Sequence, residues 1–251
     1  MKGAAVYFSG TGNTEYIVRL FRDEFKKDGI ECALIDVSKK RTLNDDYNFF
    51  IFGCPIHADF FPDYFMGWIE KNIKNGNNRK CIVFSTQAGP AAAGAEYLCE
   101  KLKEKGFKIE VNTMIQMPQN FYVNGLFKKT PEDKCIILKE NSAKIVKTIV
   151  DKFLKGENVI NNVSRFRVQS GRIIYKMFKK YALNWADKNL KVDMSLCVRC
   201  GKCVKNCPTK NIILEEEIKF KARCLCCQKC LHGCPVNAFR YKNKKISQYK
   251  I

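Results

Sequence analysis

The last 61 residues carry a cysteine pattern that leaves this chain few ways to fold there. Cys197, Cys200, Cys203, Cys207 and Pro208 recur as Cys224, Cys227, Cys230, Cys234 and Pro235, each displaced by 27 residues, and Ile212 has an apolar counterpart in Phe239. Of the 14 cysteines, five fall in residues 1–150, none in 151–190 and nine in 191–251, so the tail is a separate chemical region. Such density builds disulfide scaffolds in exported chains and metal sites in reducing compartments. Before Ser9-Gly10-Thr11-Gly12-Asn13-Thr14 the only apolar segment is Ala4 to Phe8, too short for a secretory signal, and no apolar run approaches the length of a bilayer span. The expectation is a cytoplasmic chain with no transmembrane segment, whose cysteines bind metal.

Each half of the repeat reads C-x2-C-x2-C-x3-C-P and resembles the bacterial ferredoxin run, in which three cysteines bind one [4Fe-4S] cluster and the fourth binds the other. The resemblance implies that Cys197, Cys200, Cys203 and Cys234 hold one cluster, and that Cys224, Cys227, Cys230 and Cys207 hold its partner. Close thiolates along a turn wrap a cubane, and the prolines direct the chain away after the crossing ligand. Zinc is the rival, because pairs of C-x2-C also make zinc ribbons. Two complete runs with prolines in register favour the clusters. Cys226 stands where the first half has Arg199 and is read as a non-ligand.

Residues 1–150 alternate apolar runs with amphipathic stretches, the pattern of a parallel sheet with crossover helices. Strands are expected near Ala4 to Phe8, Glu31 to Asp36, Phe49 to Cys54, Cys81 to Ser85 and Lys108 to Ile115. The helices expected between and after them run roughly Thr14 to Lys27, Pro62 to Lys74, Ala91 to Lys105 and Pro131 to Phe153. Five strands in alternation make a doubly wound α/β domain, whose ligands sit beyond the carboxyl ends of the strands. Cys32, Cys81, Cys99 and Cys135 share no spacing and read as core, and Cys54 reads as a buried packing residue.

The first such loop, Ser9-Gly10-Thr11-Gly12-Asn13-Thr14, opens the first helix, where backbone N–H groups, hydroxyls and the helix dipole favour a phosphate. It lacks the third glycine of the dinucleotide fingerprint, having Glu15 there, and it lacks the Gly-Lys-Ser/Thr of a nucleoside triphosphate loop. It resembles the phosphate loop of the flavodoxin family, which binds the terminal phosphate of FMN, and the order of elements agrees through about residue 153. The resemblance implies two loops clasping the flavin ring: Pro55, Ile56, His57, Ala58, Phe60 and Phe61 after the third strand, and Thr86, Gln87, Ala88 and Gly89 running to Gly94 after the fourth. Phe60, Phe61 or His57 would stack on or edge the ring, although His57 and Phe61 fit the loop's own core equally well. Ala88 and Gly89 would let backbone N–H groups approach its polar edge. The later loop lacks the tyrosine that many flavodoxins stack on the outer face, leaving that face open or to Phe121, Tyr122 or the carboxyl-terminal domain. Gln119 and Asn120 are either flavin-edge contacts or loop-solvating residues.

Residues 154–170 read as irregular and basic. Beyond them Ile173, Ile174, Met177, Phe178, Tyr181, Ala182 and Trp185 fall on one helical stripe. A connector that buries this stripe is the expectation, with a membrane-surface helix as the alternative. The net charge of +20 is distributed as +4 in 1–150, +6 in 151–190 and +10 in 191–251.

The whole chain resembles the flavodoxin–ferredoxin fusion proteins of anaerobic, clostridial-type bacteria. That resemblance implies a flavodoxin-like FMN domain over 1–153, a helical connector over 154–190 and a small α+β two-cluster ferredoxin domain over 191–251, with electron transfer as the function. The alternative is an FMN-dependent reductase of a small organic substrate fed by the clusters, with His57 as the one histidine available for proton donation in that domain. Arg165, Arg167, Arg172 and the following lysines accompany no nucleic-acid recognition motif, so a solvated basic face is expected there. The basic tail departs from the acidic surface usual in small ferredoxins and flavodoxins. It suits an acidic redox protein of that kind as partner.

Overall fold

The computed structural model describes residues 1–40, 42–44, 46–90, 92–161 and 163–251. Its elements are β1 (Lys2–Tyr7), α1 (Asn13–Lys27), β2 (Glu31–Asp36), β3 (Phe49–Pro55), α2 (Asp63–Asn72), β4 (Lys80–Gln87), α3 (Gly94–Glu104), β5 (Lys108–Gln116), α4 (Glu132–Lys155), β6 (Val159–Ile160) and α5 (Arg165–Leu183). There follow α6 (Trp185–Asn189), β7 (Leu190–Val192), α7 (Lys202–Lys205), β8 (Ile212–Leu214), β9 (Ile218–Phe220), α8 (Lys229–His232), β10 (Phe239–Tyr241) and β11 (Lys244–Lys245). Two compact units divide these residues. The first comprises Met1–Ser9, Asn13–Pro118 and Thr130–Tyr175, and the second comprises Gly10–Gly12, Gln119–Lys129 and Lys176–Ile251.

In the first unit the strands are apolar on both faces, as a sheet covered on both sides requires. Ala5, Tyr7, Phe49, Ile51, Ile82 and Phe84 pack under α1 and α4 in one core with Ile17, Phe21, Phe25, Val146, Ile149 and Phe153. The alternate residues Ala4, Val6, Phe50, Phe52 and Val83 are equally buried. All neighbours in the sheet order β2-β1-β3-β4-β5-β6 run parallel. The doubly wound α/β architecture thus agrees with the sequence pattern. The sheet has six strands rather than five, because Val159 and Ile160 pair with Val111 and Asn112. Two residues in a polar segment leave no periodic signal. The expected start of the third helix at Ala91 lies outside the described residues.

The connector departs from expectation in two ways. Its helix begins at Arg165, inside the stretch expected to be irregular. The apolar stripe also divides: Ala182 and Trp185 are buried, whereas Ile173, Met177 and Tyr181 are 65%, 70% and 50% exposed. The buried line on α5 is instead Val168, Gly171 and Ala182, with Tyr175 and Phe178 half-buried between them.

The second unit holds a core of Ala182, Trp185, Ala186, Leu190, Cys226, Leu231, Phe239 and Ile246. Its short strands are antiparallel, β7 and β11 flanking β10, and β8 pairing β9. No helix among the described residues is long and apolar enough to cross a membrane.

Candidate functional site

The first loop leaves β1 and turns into α1 through Gly12, whose φ of +107° lies in the region L side chains rarely adopt. Ser9, Asn13 and Thr14 are buried and Gly10, Thr11 and Gly12 half-buried. In the first unit Thr14 and Thr86 share a hydroxyl hydrogen bond of 2.7 Å, which ties the loop to the end of β4, and Asn13 Nδ2 donates to the Pro118 carbonyl at 3.0 Å. In the second unit Gly10 lies against the Cys227 carbonyl, and Asn120 Nδ2 donates to Thr11 Oγ1. A hydroxyl that accepts in this way keeps its own O–H to donate to an anion. The one carboxylate in the first turn of α1, Glu15, is paired with Arg19 at 2.6 Å, which offsets its repulsion of a phosphate. The loop therefore fits a phosphate group.

After β3 the chain makes a tight turn in which His57 and Phe60 exchange backbone hydrogen bonds of 2.8 and 3.3 Å, with φ of 45° at Ala58 and 88° at Asp59. Two positive φ values at non-glycine residues are strained and persist only where the surroundings hold them. Three groups do so here. The buried Asp59 carboxylate receives both terminal nitrogens of Arg167 from α5, and the Asp59 carbonyl accepts from Gly94 N–H at 2.9 Å. Tyr175 Oη accepts from Asp63 N–H at 2.8 Å, and its ring stacks on Phe60 with centroids 5.8 Å apart.

This packing redistributes the residues expected at the ring. Phe60 is buried with Ala93, Val168 and Tyr97, and Phe61 is buried edge-on against Phe65, so both serve the core rather than presenting a free face. Gly94 is also buried, and a Cβ there would come 2.7 Å from the Phe61 nitrogen, so its role is close approach of α3 to the turn. Pro55, Ile56, His57 and Ala58 retain exposed surface, as do Gln87, Ala88 and Gly89, while Thr86 is buried. Gln87 Nε2 donates to the Gly89 carbonyl at 3.3 Å and to that of Pro90, and Gln116 Nε2 donates to the Ala88 carbonyl at 3.1 Å, which orders the second loop. The part played by Arg167, Tyr175 and Tyr97 had no sequence signal beyond their residue types.

In the second unit the sequence repeat is a repeat of backbone conformation. Left-handed φ values occur at Arg199, Gly201 and Lys210 and again, 27 residues later, at Cys226, Gln228 and Asn237. Helix α7 is repeated by α8 and β8 by β10 at the same displacement. Asn211 N–H donates to Cys207 Sγ at 3.2 Å, and Ala238 N–H donates to Cys234 Sγ at 3.4 Å.

Cys197, Cys200, Cys203 and Cys234 line one cleft together with Val192, Leu214, Ile218 and Phe239. Burial pushes the Cys203 thiol up, and Cys197 and Cys234 add to the shift. Burial likewise raises Cys230, with Cys227, Cys224 and Cys207 adding, and pushes Cys227 up to about 12, with Cys224 and Cys207 adding. Cys203 thus feels Cys197 and Cys234, while Cys227 and Cys230 feel Cys224 and Cys207. Among the described residues, no group of three or more His, Cys, Asp or Glu is arranged to hold a metal ion. Cys226 is buried, its backbone N–H donates to Cys224 Sγ at 3.3 Å, and its thiol holds that of Cys224 below the ordinary value while its own is raised. Cys32, Cys54, Cys81 and Cys99 are buried in the first unit, Cys32 being pushed up to about 12 by burial, whereas Cys135 is half-buried and donates to the Thr130 carbonyl at 3.6 Å.

His232 fastens the end of the chain. Its Nδ1 accepts from Tyr249 N–H at 3.0 Å, and its Nε2 faces the Gln228 Oε1 and Asn120 carbonyl oxygens at 3.0 and 3.2 Å. Burial holds its pKa down at about 4, so the ring is neutral, with the proton on Nε2.

Two family models match parts of the chain. Residues 4–113 match the family model described as a flavodoxin domain, and residues 190–213 match that of a 4Fe-4S binding domain. Together they support a flavodoxin–ferredoxin fusion with an electron-transfer role, the first domain implying FMN and the second a [4Fe-4S] cluster. Among solved structures, oxidised flavodoxin 1 from Bacillus cereus is similar at 22% identity and a TM-score of 0.45, covering 60% of this chain and 98% of its own. A flavodoxin from the domain Archaea matches at 13% identity and a TM-score of 0.43, covering 60% of this chain and 99% of its own. The rubredoxin:oxygen oxidoreductase of Desulfovibrio gigas matches at 18% identity and a TM-score of 0.41, covering 61% of this chain and 37% of its own. No curated protein sequence matches the chain.

Proposed function

We propose that this protein carries electrons among one FMN and two [4Fe-4S] clusters and exchanges them with an acidic redox protein. The observation that carries the second cluster is the 27-residue repeat of φ values, helices and N–H···S bonds, because two equivalent cysteine cradles call for two equivalent occupants. The crossed ligand sets, Cys197, Cys200, Cys203 and Cys234 against Cys224, Cys227, Cys230 and Cys207, are supported by the cleft that the first four line together and by the influence of Cys207 on Cys227 and Cys230. Each crossing cysteine, Cys207 and Cys234, accepts a backbone N–H on its sulfur, the kind of hydrogen bond that surrounds cluster sulfurs. When bound, the clusters supply one-electron steps and the flavin one- or two-electron steps.

The FMN part occupies 1–153, the connector 154–190 and the cluster part 191–251. The loop of Ser9 to Thr14 holds the FMN phosphate. Pro55, Ile56, His57 and Ala58 border the ring on one side, and Thr86, Gln87, Ala88 and Gly89 on the other, while Phe60, Phe61 and Gly94 support the first of these loops from behind. Asn120 acts through Thr11, which it orients. The cytoplasm, where thiols stay reduced, suits such a carrier.

Protein purified without oxygen is expected to contain roughly eight iron atoms and one FMN. Zinc without iron, or FAD in place of FMN, would overturn the assignment. Cys207→Ser should perturb the cluster held by Cys224, Cys227 and Cys230 more than its neighbour. Loss of the other cluster's spectroscopic signal would show that the chain does not cross.

A further inference from the structure

Helix α5 has three faces of different chemistry. At 100° per residue, Val168, Gly171, Tyr175, Phe178 and Ala182 form the inward stripe, and Phe166, Ile173, Ile174, Met177 and Tyr181 occupy a separate arc of about 100°. This second arc faces outward, with Phe166 83% exposed and Ile174 48% exposed beside the residues given above. Arg165, Arg172, Lys176, Lys179 and Lys180 fill the remaining arc, all exposed. The helix has six basic residues and no acidic one from Arg165 to Leu183. A solvated helix face usually mixes charges of both signs and keeps large apolar groups off the surface. Neither holds here.

We infer that this face of α5 binds an anionic lipid surface as an interfacial helix. A row of large apolar side chains along a helix is a convex ridge, which needs a matching groove in a protein but only a fluid interface in a bilayer. The uniform positive charge beside the ridge complements a surface that is negative everywhere, and long Lys and Arg side chains reach headgroups while the ridge enters the acyl boundary. The length suits lying on the surface, and α5 is not apolar enough to cross it. This inference does not depend on which redox partner the protein uses.

The test is co-sedimentation of the full cofactor-loaded chain with vesicles of phosphatidylglycerol and phosphatidylcholine in equal parts, against vesicles of phosphatidylcholine alone. Binding is expected to the first and to be much weaker to the second. The double variant Ile173→Glu, Met177→Glu and the charge variant Lys176→Glu, Lys180→Glu should each weaken binding by about tenfold or more, since apolar insertion and charge attraction both contribute. Unchanged iron and flavin contents would verify that the variants fold. The inference is overturned if the unaltered protein ignores anionic vesicles, or if the apolar variant binds them as well as the parent does. It is equally overturned if the apolar variant, without any vesicle effect, dissociates a homodimer or slows exchange with an acidic ferredoxin, because the ridge would then be a protein interface.

Discussion

Cys226 illustrates how a residue with the same side chain as its neighbours takes a different role. It sits between two candidate ligands, yet it is buried among Trp185, Leu231 and Phe239, and its thiol holds that of Cys224 below the ordinary value. A thiol that stabilises the thiolate beside it should tune the cluster without holding it. Cys226→Ala is therefore expected to keep full iron content and to shift the reduction potential of one cluster downward, as removal of a hydrogen-bond donor leaves more charge on sulfur. Loss of about half the iron would instead make Cys226 a ligand, under the assignment of two four-iron clusters.

At the scale of elements, the decisive packing is α5 against the turn after β3. Gly171 lies in the middle of a helix, where glycine costs about 1 kcal/mol relative to alanine. It is retained because a Cβ would collide with the Asp59 carboxylate and come 2.9 Å from the Phe60 ring. Gly171→Ala should then reverse the usual helix preference and destabilise by about 1–3 kcal/mol, the range of overpacked sites. Arg167→Met would leave the Asp59 carboxylate, only 7% exposed, without its guanidinium, while the Arg167 side chain itself is 40% exposed and so partly screened. We expect weaker FMN binding from both variants, measured as flavin fluorescence released on dilution, with iron content unchanged. A variant that gains stability at Gly171 and keeps its flavin would show that the turn needs no such support.

For the whole molecule, the presence of the candidate FMN loops and all eight candidate cluster cysteines in one chain motivates exchange within that chain. After rapid one-electron reduction of the clusters, flavin reduction should proceed at a rate independent of protein concentration. A rate proportional to concentration would identify exchange between molecules. The +10 charge of residues 191–251 concerns the partner. Association with an acidic ferredoxin should slow steeply as salt shortens the screening length to about 10 Å, and charge reversal at Lys242, Lys244 and Lys245 should flatten that dependence. Rates indifferent to both changes would separate the basic surface from partner docking.

Features written in short-range pattern were legible in the chain by itself: the parallel α/β alternation, the glycine- and hydroxyl-rich loop at the head of α1, and the doubled cysteine run that foreshadows a doubled backbone. Each depends on residues within a few positions of one another or on an exact repeat. Tertiary structure decided what depends on distant partners. Asp59 and Arg167 are 108 residues apart, so nothing near either one announces the pair that holds the strained turn. The same pairing over distance carried Phe60 and Phe61 into the core, recruited Val159 and Ile160 as a sixth strand, and left the ridge of α5 outside. An apolar stripe states that a helix has a face to bury, but its surroundings determine which part of that face is covered.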